Sequence, residues 1–311
     1  MIDALIQALL FQGGYNAALV SLGAALLGLA AGAVGAFTTL RRRALTSDAM
    51  AHATLPGIGI AFLLMASAGG DGRSLPILLI GAGLSAALGL YWLQRLTDTT
   101  RLTEDAATGA ILSSFYGAGI VLLTVIQNLA IGRPAGLEGF LLGSTAGMLR
   151  ADALLIAGGG AVILALLALL RRPLAMTAFD PAHARLMGVN TRATDMALLL
   201  LTLACVLLGL RVVGLILIVA LLITPALTAR LWSNRIGVVA ILAGAIGALA
   251  GHVGAALSLA LPDLPTGPAI VLLTFAAFLA SALFAPGRGV IARAVARLRL
   301  ARGMREGEGR A

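Results

Sequence analysis

Residues 15–68 read YNAALVSLGAALLGLAAGAVGAFTTLRRRALTSDAMAHATLPGIGIAFLLMASA. From Tyr15 to Leu40 there is no charged residue; Arg41–Arg43 then interrupt the run, and a second apolar block extends from Ala44 to Ala68. A helix rises about 1.5 Å per residue and the hydrocarbon core of a bilayer is about 30 Å thick, so about 20 apolar residues cross it. Both blocks are long enough, and the arginines mark a short turn on one side of a membrane. Inside the second block stand Asp48 and His52, residue types that a membrane span carries only for a reason.

The same alternation continues along the chain. It predicts nine spans: Tyr15–Leu40, Ala44–Ala68, Leu75–Leu93, Ala106–Gln127, Ala151–Leu170, Thr194–Leu210, Val212–Leu231, Ile236–Leu261 and Thr266–Phe284. Whether residues 128–150 re-enter the membrane is left open by the pattern. Of the 311 residues, 60% are hydrophobic and 11% charged, against about 45–50% and about 25% in soluble domains. This excludes a soluble enzyme, a disordered chain and a disulfide scaffold, and predicts an all-α integral membrane protein. Cys205 is the only cysteine, so the chain forms no internal disulfide and no cysteine metal cluster. All 22 basic residues are arginine. A P-loop needs its lysine, so any ATP-driven work falls to a partner. No HExxH, GxSxG or strand-to-helix GxGxxG motif is present, and an enzyme is not expected.

The net charge of +9 is spread between apolar blocks and in a tail, which reads as topology and not as a nucleic-acid surface. If Arg41–Arg43 face the cytoplasm, so do Arg95, Arg101, Arg171, Arg172, Arg185, Arg192, Arg230, Arg235 and the arginines from Arg288 onward. Only Arg73, Arg133, Arg150 and Arg211 fall on the other side. The positive-inside rule then puts the N-terminus outside and the C-terminus in the cytoplasm, with Tyr91, Trp92 and Trp232 at the inner interface. Residues 1–14 lack the basic region of a signal peptide and read as an external segment, residues 15–284 as the transmembrane domain and residues 285–311 as a basic cytoplasmic tail. In the tail, Val290, Ile291, Ala294, Val295 and Leu298 form a stripe flanked by arginines, the pattern of a short helix on membrane lipid. Gly28/Gly32 and Gly247/Gly251 are GxxxG pairs that allow close helix packing.

Asp48 and His52 are one helical turn apart and share a face. The rise from Arg43 puts His52 near the bilayer midplane. A carboxylate and an imidazole so placed suit a first-row divalent ion; the alternative is an aspartate paired with Arg41–Arg43 and a histidine satisfied by a carbonyl. Pro56 frees the His52 carbonyl and Pro225 that of Leu221, making both gate candidates as well as kinks. His252 reads either as a second ligand or gate, or as a satisfied structural histidine. In the inner segment Arg171–Arg192, Phe179-Asp180-Pro181-Ala182-His183-Ala184-Arg185-Leu186-Met187-Gly188 reads as a capped short helix: Asp180 as N-cap, Pro181 at the first position, Gly188 as the stop. His183 reads as solvated.

These residues resemble the permeases of bacterial ABC importers for manganese, zinc and iron. The likeness runs through the opening GYN block, GLEGFLLGSTAGM, FDPAHARLMGVN, VVGLILIVALLITPALTARL and DLPTGPAIVLL, in order from Tyr15 to about Leu273. It implies a type II ABC importer bundle working as a dimer of permease copies. Two cytoplasmic ABC ATPase subunits and a metal-binding lipoprotein or periplasmic binding protein would complete the importer in the bacterial inner membrane. The cargo would be a divalent metal ion (manganese, zinc or iron, manganese slightly favoured by the GYN start), with no permanent cofactor. The family's Asp-x-x-x-His motif falls on Asp48 and His52. Its ATPase-contacting loop falls on Phe179, Asp180, Pro181, Ala182, Arg185, Leu186 and Gly188, and its ALLIxP proline on Pro225. Ser47 and Thr46 stand where that family commonly has Gly and Met. The alternative function is an ATP-independent metal channel or ion-coupled transporter.

Overall fold

In hydrocarbon every backbone polar group must be satisfied within its own segment, which makes helices the solution for apolar runs of this length. The computed structural model, which describes residues 2–12, 14–69, 74–129, 150–261, 264–286 and 288–293, follows that rule. Its elements are α1 (Ile2–Leu9), α2 (Tyr15–Leu40), α3 (Ala44–Ser67), α4 (Leu75–Thr99), α5 (Glu104–Asn128), α6 (Arg150–Phe179), α7 (Pro181–Leu186), α8 (Thr191–Trp232), α9 (Ile236–Ala260) and α10 (Thr266–Phe284). Among the described residues there is no strand, and nine segments are long and apolar enough to cross a membrane. Residues 130–149, with the GLEGFLLGSTAGM block, and 294–311, with most of the tail stripe, lie outside the described residues.

One expected boundary needs correction. The fifth span does not end at Leu170: α6 continues to Phe179, so Arg171 and Arg172 stand on a helix and not in a loop. Hydropathy falls at the arginines, but Leu174 and Thr177 remain buried on the inward face and hold the last turns against the bundle. The sixth and seventh spans stand where expected, as the two limbs of α8, Thr191–Leu210 and Val213–Trp232, separated by a break at Gly214. Gly214 has φ +79°, a conformation that glycine adopts without a Cβ clash. The chain doubles back there: Gly209 packs on Ile218, which a straight helix would hold about 13 Å away. The limbs Thr191–Leu210 and Val213–Trp232 are therefore antiparallel.

The helices form two groups. In the first, α2 packs on α9, α8 and α6. Both GxxxG pairs lie in the α2–α9 contact: a Cβ on Gly28 would sit 2.2 Å from the Gly247 carbonyl oxygen, one on Gly32 2.3 Å from that of Ala243, and one on Gly251 2.4 Å from that of Ala24. In the second group, α3 packs on α4 and α5, again through glycine, with Gly57 against Gly81. Although consecutive in sequence, α2 and α3 scarcely touch. The groups meet where Met50 and Ala53 of α3 and Ala86 and Leu90 of α4 bury against Leu199 and Leu203 of α8.

Side-chain contacts gather the arginine-bearing turns at one end of the bundle. Arg41 and Arg43 reach α6, α8 and α5, Arg192 pairs with Asp98 of α4, and Arg288 bonds the Arg230 carbonyl and Asn234. The described turns thus share the one end that the charge pattern required.

Candidate metal site and coupling face

α3 starts immediately after the arginines and brings Asp48 and His52 onto one face, as their spacing predicts. His52 Nε2 lies 3.4 Å from Asp48 Oδ1. The side chains are 22% and 34% exposed, so this face of α3 is open. Tyr116 of α5 meets the imidazole edge-on, ring centroids 4.9 Å apart, and fixes its plane. His52 Nδ1 is buried with no hydrogen-bond partner among the described residues.

The alternative reading of Asp48, as counter-ion to the arginine cluster, is contradicted. Arg41 Nη2 bonds Asp195 Oδ2 at 2.5 Å, and Arg43 pairs with Glu104 at 2.7 Å and with Asp195 at 3.8 Å. Asp48 is left to His52. Two donors each about 2.1 Å from one tetrahedral ion stand about 3.4 Å apart, the separation seen here. Among the described residues no group of three or more His, Cys, Asp or Glu side chains converges on one point; Asp48 and His52 stand here as a pair.

Pro56 lies inside α3, one turn beyond His52, and is buried beside Gly57. Pro225 is likewise buried within the second limb of α8. One turn before it, the Leu222 carbonyl oxygen would sit 1.8 Å from a Cβ on Gly35, so α2 and α8 meet backbone to backbone beside this proline. His252 is elsewhere: its Nε2 lies 3.2 Å from the Leu9 carbonyl and its ring stacks on Phe11 at 4.7 Å. These contacts hold α1 against α9, while His252 Nδ1 is buried with no hydrogen-bond partner among the described residues.

At the arginine end, α7 forms as its sequence predicts. Asp180 Oδ1 accepts from the backbone N–H groups of Ala182 and His183 at 3.0 and 2.9 Å, satisfying donors that a helix start leaves free. Pro181 takes the first position, and Gly188 closes the turn at φ +80°. Ala184 is buried; Ala182, His183 and Arg185 face outward. Leu186 is 86% exposed, and Phe179 and Met187 are exposed beside it. Three large apolar side chains are thus exposed together at this capped turn.

Sequence reasoning missed the contributions of Tyr116, Glu104, Thr177 and Asp195. Asp195, four residues beyond the start of α8, resembles any polar residue in a helix's first turns, and only the tertiary fold brings Arg41 to it.

The chain matches the ABC 3 transport family over residues 15–285. It is 40% identical over 287 residues to the manganese transport system membrane protein MntC of Bacillus subtilis, covering 92% of this chain but 65% of that one. The zinc transport system membrane protein TroC of Treponema pallidum is 40% identical over 272 residues, 88% of this chain and 90% of its own. Among solved structures, PsaBC from Streptococcus pneumoniae in complex with Fab superposes with a TM-score of 0.77 at 31% identity, covering 93% of this chain and 98% of that one. With its helical bundle of membrane-crossing length and a family match that takes in every span, the chain belongs to the ABC 3 transport family of multi-pass membrane permeases.

Proposed function

We propose that this chain is the permease subunit of an ATP-driven importer that carries a divalent metal ion (manganese, zinc or ferrous iron) across the bacterial inner membrane by alternating access. The observation that carries this reading is the Asp48–His52 pair, set at ligand spacing on an open helix face with no arginine on the carboxylate. A neutral imidazole supplies a nitrogen donor, and the carboxylate supplies charge that offsets part of the ion's desolvation. Two donors are too few for a divalent ion. The same pair from a second copy, presented across the open side of α3, would complete the shell in a permease dimer. The ion is cargo, so an incomplete, shared site that binds weakly and releases readily suits it.

The α7 surface around Leu186 is the docking point for a cytoplasmic ABC ATPase, and a metal-binding extracytoplasmic protein delivers the ion at the opposite end. In this reading the N-terminus is external and the C-terminus cytoplasmic, and residues 1–14, 15–284 and 285–311 are external segment, permease domain and basic tail. Pro56 and Pro225 bend helices near the pathway. The test is reconstitution of the permease with its ATPase and binding protein in liposomes. Manganese(II) or zinc(II) should accumulate only with hydrolysable ATP. Flux through the chain alone, without nucleotide, would replace this reading with a channel.

A further inference from the structure

Three observations at the arginine end converge on Asp195. First, it is the junction of a part-buried ion cluster: one carboxylate oxygen, Oδ2, takes Arg41 at 2.5 Å and lies 3.8 Å from Arg43. Second, the cluster spans the seam between the two helix groups. Arg41 also donates to the Thr177 carbonyl at 3.0 Å, in the last turn of α6 before α7. Asp195 lies in the second turn of α8 just after α7. Arg43 is the N-cap of α3, the helix that bears Asp48 and His52, and it pairs with Glu104 at the start of α5. Both flanks of α7 are thus tied to the root of the metal-site helix through a three-residue turn. In that turn Arg42 has φ +60°, a conformation uncommon outside glycine.

Third, the cluster is incompletely satisfied. Asp195 Oδ1 and Arg41 Nε are buried with no hydrogen-bond partner among the described residues. Beside them opens a polar cavity of about 620 Å³ whose lining includes Arg43, Glu104, Asp195, Asp98 and Arg192. Spare donors, spare acceptors and adjoining space give the same charges a second way to pair. A network with two discrete arrangements is what transmits a displacement between sites.

We propose that Asp195 is a positioning residue for transport: through Arg41 and Arg43 it converts movement of α7 into movement of α3. It touches neither the ion nor the ATPase. This inference rests on the transport reading above. When a partner displaces α7, the ends of α6 and α8 carry Thr177 and Asp195 with them, and the Arg41–Arg43 turn draws the root of α3 along.

The test is metal moved per ATP hydrolysed in the reconstituted complex, with manganese(II) and zinc(II) as probes. Asp195→Asn and Arg43→Gln should each lower that ratio about tenfold, the scale of a lost charged hydrogen bond. ATPase co-purification and membrane level should not change, and Asp195→Glu should retain most of the ratio. A merely structural role would lower the folded amount and leave the ratio of the surviving molecules intact. If Asp195→Asn fails to reach the membrane, Arg43→Gln on the other side of the seam decides alone. A wild-type ratio in the variants, beside a wild-type complex that transports, overturns the latch and leaves the transport reading standing. A wild-type complex that moves no metal on ATP overturns the transport reading and the latch with it.

Discussion

His52 Nε2 stands 3.4 Å from Asp48 Oδ1, one turn away on the same open face of α3, while the nearby arginines are engaged by Asp195 and Glu104. No arginine ion pair takes up the Asp48 charge among the described residues, and Tyr116 meets the imidazole edge-on.

Removing either donor should abolish most of the flux. Asp48→Asn keeps the shape and removes the charge; His52→Ala removes the nitrogen. Each should reduce metal uptake by at least the roughly 10–100-fold that loss of a supporting group in a metal site costs, at unchanged membrane level. Pro56→Ala should be milder, because it restores one backbone hydrogen bond without removing a side-chain donor. Initial rates of manganese(II) and zinc(II) uptake check the order, and normal uptake by the double variant would remove the pair from the pathway.

The α7 surface predicts a separate defect. Leu186→Arg places a charge where an exposed leucine stands, so the permease should fold normally and lose its ATPase on co-purification. Asp180→Ala removes both cap bonds and should destabilise α7 by about 1 kcal/mol, weakening the same association less. Retention of the ATPase by Leu186→Arg would move the docking site elsewhere.

The glycine contacts predict where bulk is tolerated. Gly28→Leu or Gly247→Leu must push α2 and α9 apart, and overpacking costs about 1–3 kcal/mol even where side chains can yield; here backbone faces backbone. Thermal unfolding in detergent should shift clearly downward. Gly109→Ala and Gly117→Ala on α5 meet open space and should leave that midpoint unchanged or slightly raised.

His252→Ala should separate anchoring from transport. It removes the contact with the Leu9 carbonyl and the stacking on Phe11, so proteolysis between α1 and α2 should accelerate while metal uptake stays near wild type. A loss of uptake like that of His52→Ala would instead put His252 on the ion's path.

The spans were legible in the sequence because apolar length and arginine placement answer directly to the bilayer. Asp180, Pro181 and Gly188 were legible because caps and stops are local chemistry. The continuation of α6 through Arg171 and Arg172 was not, since hydropathy registers the charges and not the buried Leu174 and Thr177 that keep the helix docked. The pairing of Arg41 with Asp195, 154 residues away, was hidden for another reason. An arginine beside a span already has an explanation in topology, and nothing local distinguishes one that also holds a tertiary ion pair. The α2–α9 contact was half legible: both GxxxG pairs stood out, but which helices they joined depended on the fold.

The reversal at Gly214 also bears on how the chain is built into a membrane. Only residues 211 and 212 lie between the limbs Thr191–Leu210 and Val213–Trp232, and Gly209 already touches Ile218. Each limb is about 30 Å long, so once the first spans the bilayer the second starts at the membrane surface beside it. Insertion of the two as a single hairpin is the expected outcome. Asp195 and Pro225, one on each limb, then reach α2, which precedes both in the chain, together and not one after the other.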